Sequence, residues 1–306
     1  MNVVADPYPS EKDPSQRDGR LGVGIISAGK VGAVLGAALR GAGHQVVGVH
    51  AVSEASRSRA ESLLDGVPIL EIPEILRRSE LVLLAVPDDA LADVVSGAAE
   101  AGYFQAGQLV IHTSGRYGTD VLAPAQQAGA ITLAVHPAMT FTGLTMDLQR
   151  LNACAFAVTA PAPVLPIAQA LVVEMGGEPV TVSESDRGIY HAALAHASNH
   201  LNTITGQASE MLRGIGVEAP DRVLGPLMQA SLDNALASGE GALTGPIARG
   251  DVGTVARHVQ LLSESELPAD IRTAYVQMAR ATAQRALDRG LISSTQAAAI
   301  LDVLTD

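Results

Sequence analysis

Between residues 21 and 159, short runs of almost unbroken apolar residues recur with helix-length stretches between them. They are LGVGII (21–26), QVVGVH (45–50), LVLLAV (81–86), QLVIHT (108–113), ITLAVH (131–136) and CAFAVT (154–159). A strand with one wet face alternates apolar and polar residues, whereas a strand apolar throughout needs cover on both sides. Segments at 30–42, 55–64, 88–101 and 117–128 supply that cover. The pattern therefore predicts an α/β fold, a doubly wound and mostly parallel sheet. A further helix and strand are expected over 163–183. After Ser185 the strands stop. The stretch from ESDRGIYH to MLRGIG reads as one long helix closed by Gly214 and Gly216. Helices at 220–238, 251–263, 268–289 and 293–304 follow, punctuated by Pro268 and Gly290. The expected organisation is a flexible tail over 1–20, a nucleotide-binding α/β domain over 21–184 and an all-α domain over 185–306.

A chain of 306 residues has room for two such cores. Its formal net charge of −12 argues against a nucleic-acid or anionic-membrane partner, since both need clustered positive charge. Cys154 is the single cysteine, so neither a disulfide framework nor a cysteine-based metal cluster is expected. No apolar run approaches the ~18 residues of a membrane span. The first 20 residues, rich in Pro, Asp and Ser, lack the hydrophobic centre of a signal peptide. A cytoplasmic protein is the expectation.

The first strand leads through Ser27, Ala28, Gly29, Lys30, Val31 and Gly32 into an apolar helix. This is the position of a G-x-G-x-x-G dinucleotide turn, with serine in place of the first glycine. At such a turn the free N–H groups of the helix start face a pyrophosphate. Gly29 lets the backbone approach the phosphates, and Gly32 lets helix and strand pack closely. Ser27 lacks glycine's freedom, but a small residue in an ordinary backbone conformation serves in its place. The acid that usually holds an NAD ribose is missing after the second strand, where Val49, His50 and Ala51 stand. Ser53, Ser56, Arg57 and Arg59 follow instead, and hydroxyls with guanidinium groups suit a 2′-phosphate. NADP is the expected cofactor. Val86, Pro87 and Asp88 end the third strand, on the edge where ligands of such folds gather; Asp88 equally suits the cap of the next helix.

The combination of GIISAGKVG, AVPD, HTSG (112–115), HPAMTF (136–141) and ALTGPIARGD (242–251) resembles a bacterial family of Rossmann-like proteins with a helical C-terminal domain. That family lies within the 6-phosphogluconate dehydrogenase-like reductases, beside pyrroline-5-carboxylate reductases, ketopantoate reductases and prephenate dehydrogenases. The resemblance runs from residue 21 onward and implies an NADP-dependent reductase of a small carboxylate-bearing ketone or imine. It points first to 2-dehydropantoate (ketopantoate) reduction in pantothenate synthesis. A pyrroline-5-carboxylate-type imine reductase and a non-catalytic NADP-binding sensor are the alternatives. It also implies a homodimer through the helical domain.

Ketopantoate enzymes of this group use a lysine four residues before an asparagine on the first helix of the second domain. Asn199 matches the asparagine, but Ala195 stands where the lysine would be, and Lys12 and Lys30 are the only lysines. The lysine mechanism is therefore closed to this chain. His191, Ala195 and Asn199 are spaced i, i+4, i+8 on one helix face, suited either to a cleft or to a helix–helix interface. Prephenate dehydrogenases place a serine and a histidine after successive strands, which carries over to Ser114 and His136. His136 is the first candidate proton donor and His191 the second, with Ser114 and Asn199 positioning the carbonyl. Thr244 and Arg249 are candidates for the substrate carboxylate. His196 and His200 stand i, i+4, but no further ligand pairs with them, and no metal is expected.

Overall fold

The computed structural model describes residues 20–304. The tail expected over 1–20 lies outside the described residues except for Arg20, whose guanidinium bonds Glu174 at 2.7 Å. The α/β part runs β1 (Gly22–Ile26), α1 (Lys30–Gly41), β2 (Gln45–His50), α2 (Glu54–Leu63), α3 (Ile72–Arg78), β3 (Leu81–Leu84) and α4 (Asp88–Glu100). It continues through β4 (Leu109–His112), α5 (Ala123–Gln127), β5 (Ile131–Pro137), α6 (Met146–Leu151), β6 (Ala155–Thr159), α7 (Leu165–Glu174) and β7 (Glu178–Thr181). The helices that follow are α8 (Arg187–Gly214), α9 (Pro220–Ser238), α10 (Val252–Glu264), α11 (Ala269–Asp288) and α12 (Ser294–Val303).

The seven strands form one sheet in the order β2-β1-β3-β4-β5-β6-β7. Neighbours are parallel except β5 and β6, which run antiparallel. Strand pleating explains the apolar runs. Leu81 and Leu83 of β3 point into one core with Ile25, Leu35 and Phe156, while Val82 and Leu84 point into the other with Leu91, Val95 and Val110. Chain direction across the sheet reverses between β1 and β3, so their carboxyl ends open a crevice.

The expected strands are found with ends shifted by at most two residues. Two short helices, α3 and α6, were not anticipated, and the helix expected over 117–128 is a 3-10 turn at Asp120–Leu122 followed by α5. The described residues divide into two compact units that meet between Ala195 and His196. The break falls within α8, whose first turns are bonded to the sheet through Arg187. The second unit's core, including Val255, Val276, Ala279, Ala283 and Ile300, comes from α10, α11 and α12. No described helix is long and apolar enough to cross a membrane.

Candidate functional site

The loop from β1 to α1 forms the floor of a cavity of about 390 Å³ at the β1/β3 crevice. Ser27, Ala28, Gly29, His50, Ser53, Ser56, Arg59 and Val86 are among its walls. Ser27 does not adopt the ordinary conformation expected from its identity. Its φ is +81°, the only positive φ at a non-glycine among the described residues. The serine has taken over the backbone geometry of the missing glycine, at a steric cost on the order of 1–2 kcal/mol.

The two remaining glycines answer to different demands. A methyl group on Gly32 would stand 2.8 Å from Cβ of Ala85 and collide with the Ser27 carbonyl oxygen, so helix–strand packing requires glycine there. At Gly29 a methyl group would meet nothing nearer than 3.5 Å. No protein atom forbids a side chain at Gly29; a ligand pressed against the backbone would. Gly29 is also the N-cap of α1, with no side-chain bond to the free N–H groups of the first turn, among them those of Lys30, Val31 and Gly32. This set fits a dinucleotide's phosphates.

The β2–α2 corner carries the hydroxyls and guanidinium groups expected there. Ser53 caps α2 by accepting from the Ser56 N–H at 3.2 Å, and the Ser56 hydroxyl donates to the Ser53 carbonyl at 2.7 Å. Arg57 is exposed and its Nε donates to the Ala51 carbonyl, while Arg59 is half-buried and its Nε donates to the Ala28 carbonyl, both at 3.4 Å. After β3, Pro87 is the N-cap of α4 and Asp88 its first residue, with no side-chain cap bond. The Asp88 carboxylate instead bears electrostatically on His112 and His136.

A second group lies at the ends of β4 and β5. His112 is fully buried; its Nε2 donates to the Gly118 carbonyl at 2.7 Å while its Nδ1 accepts the Ser114 N–H at 3.1 Å. Burial pushes its pKa down to about 4. The Ser114 hydroxyl oxygen accepts from the N–H groups of Arg116 and Tyr117 at 3.2 and 3.3 Å, so it holds a turn. His136 pairs through Nδ1 with the Tyr190 hydroxyl at 2.8 Å, the two rings edge to face. Its other face lies against Gly115, where a methyl group would come within 2.9 Å of Nε2. Burial, then the charge of Arg187, pushes the His136 pKa down to about 4. The ring is neutral at physiological pH, so the imidazolium donor expected from the sequence is replaced by a neutral imidazole–phenol pair.

Arg187 and Tyr190 come from the first turns of α8, and neither was singled out in the sequence. Arg187 is 1% exposed. Its guanidinium donates to Thr159 Oγ1 at 2.8 Å, to the carbonyls of Ala134 and Ala157 at 3.1 Å, and to that of Ser114 at 3.4 Å. It also lies 5.9 Å from the centre of the Tyr190 ring. Burial raises the Tyr190 pKa, so the phenol keeps its proton at neutral pH. The signal available in the sequence was an arginine and a tyrosine three residues apart, opening a helix directly after the last strand.

The other candidates are placed as follows. His191 is half-buried, close enough for its charge to act on His136. Asn199 is exposed on the part of α8 that belongs to the second unit, as are His196 and His200, whose Nδ1 atoms lie 2.8 Å apart. Among the described residues no group of three metal-ligating side chains occurs. Thr244 and Arg249 are exposed in the second unit. Asp251 caps α10 there, accepting from the Thr254 N–H at 3.0 Å.

A glycine-type loop at the switch point of a doubly wound sheet, with a helical unit after it, defines the class as Rossmann-like. Residues 7–137 match the Rossmann-like domain family. Residues 154–282 match the domain of unknown function DUF2520, so the chain joins a Rossmann-like domain to a DUF2520 domain. No curated protein sequence matches it. Among solved structures, a Bacteroides fragilis protein assigned as an NADP oxidoreductase superposes with a TM-score of 0.72 at 20% identity, covering 87% of this chain and 98% of its own. The imine reductase of Myxococcus stipitatus in complex with NADP+ gives 0.63 at 18%, covering 92% and 98%. The 1-pyrroline-5-carboxylate reductase of Streptococcus pyogenes gives 0.58 at 18%, covering 87% and 99%. At these identities the likeness is one of fold.

Proposed function

We propose that the protein is an NADP-dependent reductase of a small carboxylate-bearing ketone or imine. The observation that carries this reading is the cavity at the β1/β3 crevice. There an unfilled side-chain position at Gly29, a serine in glycine's backbone conformation and the Arg59 side chain border one space. The fold's neighbours support the choice of nucleotide, since one is assigned as an NADP oxidoreductase and another holds NADP+.

Bound NADPH supplies a hydride; the chain must supply a proton and hold the substrate. Tyr190 is the proton donor in this reading. Its phenol is protonated at neutral pH, and His136 fixes its direction. Negative charge forming on the phenol is eased by Arg187, whose cation lies near the ring. Ser114 shapes the turn beside them. On the family resemblance the leading ketone is 2-dehydropantoate, which would place the enzyme in pantothenate synthesis. A cyclic imine of the pyrroline-carboxylate kind is the second reading, favoured by the imine reductases among the neighbours. A cytoplasmic homodimer joined through the helical unit belongs to the same proposal.

The test is calorimetric titration with NADPH and NADH, followed by turnover on 2-dehydropantoate and on 1-pyrroline-5-carboxylate. NADPH binding tighter than NADH binding, with turnover of either substrate, is the expected result. Binding without turnover across a panel of keto acids and imines would make the protein a sensor. Failure to bind either nucleotide would overturn the reading.

A further inference from the structure

The two arginines of α2 differ in where their side chains lie. Arg57 is exposed and stays at the end of β2, its Nε on the Ala51 carbonyl at 3.4 Å. Arg59 turns the other way, and its Nε reaches the Ala28 carbonyl inside the glycine loop. Its stem is confined there. A methyl group at Gly143 would stand 2.8 Å from Cδ of Arg59, 3.1 Å from Cγ of Lys30 and 3.3 Å from Cα of Lys30. The β5–α6 loop therefore packs against both Arg59 and the first residue of α1.

That loop is itself anchored. Asp147 is fully buried and accepts from the N–H groups of Thr142 and Gly143 at 2.7 and 2.8 Å and from the Thr142 hydroxyl at 3.0 Å. Gly143 has a φ of +81°, a conformation that a side chain would strain as well as crowd. Asp147 thus sets Gly143, and Gly143 leaves room for the Arg59 stem beside the start of α1. The free N–H groups of that helix start are where a diphosphate would be held.

We propose that Arg59 is a ligand of the dinucleotide's diphosphate bridge, shared by NADP and NAD, while Arg57 is left to read the 2′-phosphate. This rests on the nucleotide-binding reading above and reassigns one of its residues. A guanidinium over the helix start makes charge-assisted bonds to phosphate oxygens and is indifferent to what the ribose carries. It accounts for tight holding of the nucleotide; selectivity comes from the other arginine.

The experiment is calorimetry of the full chain with NADPH, NADH and ADP, for wild type, Arg57→Ala, Arg59→Ala and Arg59→Lys, each checked for an unchanged thermal transition. Arg59→Ala is expected to weaken all three ligands by a similar factor, on the order of tenfold, the size of one charge-assisted bond. Arg59→Lys should recover part of that loss, and Arg57→Ala should weaken NADPH alone. Loss confined to NADPH in Arg59→Ala would place Arg59 on the 2′-phosphate and overturn the assignment, as would no loss for any ligand. If wild type bound none of the three, the nucleotide reading itself would fall. That outcome is distinct from either result in the variants.

Discussion

Ser27 concentrates the chemistry of the glycine loop into one dihedral. A φ of +81° is disfavoured for an L-residue with a side chain, and at a candidate binding loop such strain persists only when the surroundings enforce it. Ser27→Gly should therefore stabilise the protein by about 1 kcal/mol, read as a shift of the urea midpoint at constant slope. A midpoint unchanged or lowered would show that the loop is not strained. Tyr190→Phe tests the other end of the site. It should reduce kcat on order of a hundredfold or more while NADPH affinity, measured by calorimetry, stays within twofold. Equal loss of binding would reduce Tyr190 to a structural part. These two residues also mark where the sequence stopped being legible. It shows that a serine replaces a glycine, but not whether the backbone stays left-handed, because that depends on how β1 and α1 are fixed around it. His136 was visible as a strand-end histidine. Its partner, 54 positions away, was not, since the pairing arises only when the start of α8 is bonded through Arg187 to the paired strands β5 and β6.

At the scale of elements, legibility followed length and burial. Strands covered on both faces left continuous apolar runs, and the first six were readable for that reason; β7 is mostly exposed and leaves no such run. Helices α3 and α6, of seven and six residues, are too short to show a helical period. The break within α8 was hidden because a helix continues unchanged in sequence pattern while its surroundings change. The end of β4 makes a measurable prediction. His112 is fully buried with a folded-state pKa of about 4 against 6.5 when unfolded. Between those values the unfolded chain binds the extra proton, so acid favours unfolding. The stabilisation associated with the neutral ring is complete above about pH 6.5 and is lost progressively as pH falls toward 4, to a total of ~3 kcal/mol. Urea unfolding at steps from pH 7 to 4.5 should show that decline, and His112→Gln should make it shallower, leaving the part that His136 contributes. A wild-type profile without decline over this range would mean that His112 is not held neutral. The same acid limb acts on His136, so nucleotide binding should be measured near pH 7.

For the molecule as a whole, the question is what covers α8 and α9. The second unit builds its core from α10, α11 and α12, and α8 buries only Arg187. Over its 19 residues α9 buries only Pro220 and Leu224. Yet both present large apolar side chains to solvent. Leu201 and Ile204 on α8 are 46% and 40% exposed, and Leu227 and Leu236 on α9 are 60% and 79% exposed. Beside them a groove lined by Ile204, Met211, Ile271, Tyr275 and Met278 is almost wholly apolar. A single chain rarely leaves so many large apolar side chains of two helices uncovered, and isolated helices gain little stability without packing. A second copy offering the same two helices supplies matching surface by symmetry, and a stable pair would bury on the order of 1,200–2,000 Å². Light scattering after size exclusion should then give twice the chain mass at micromolar concentration. The double variant Leu227→Glu with Leu236→Glu, which puts charge on two opposite exposed sides of α9 and leaves the α10–α12 core intact, should shift the mass toward monomer. It should also make the thermal midpoint lower and less dependent on protein concentration. A wild-type protein monomeric at these concentrations would contradict the pairing. A variant that stayed dimeric would move the interface off α9, leaving the apolar groove beside α8 as the surface to change next.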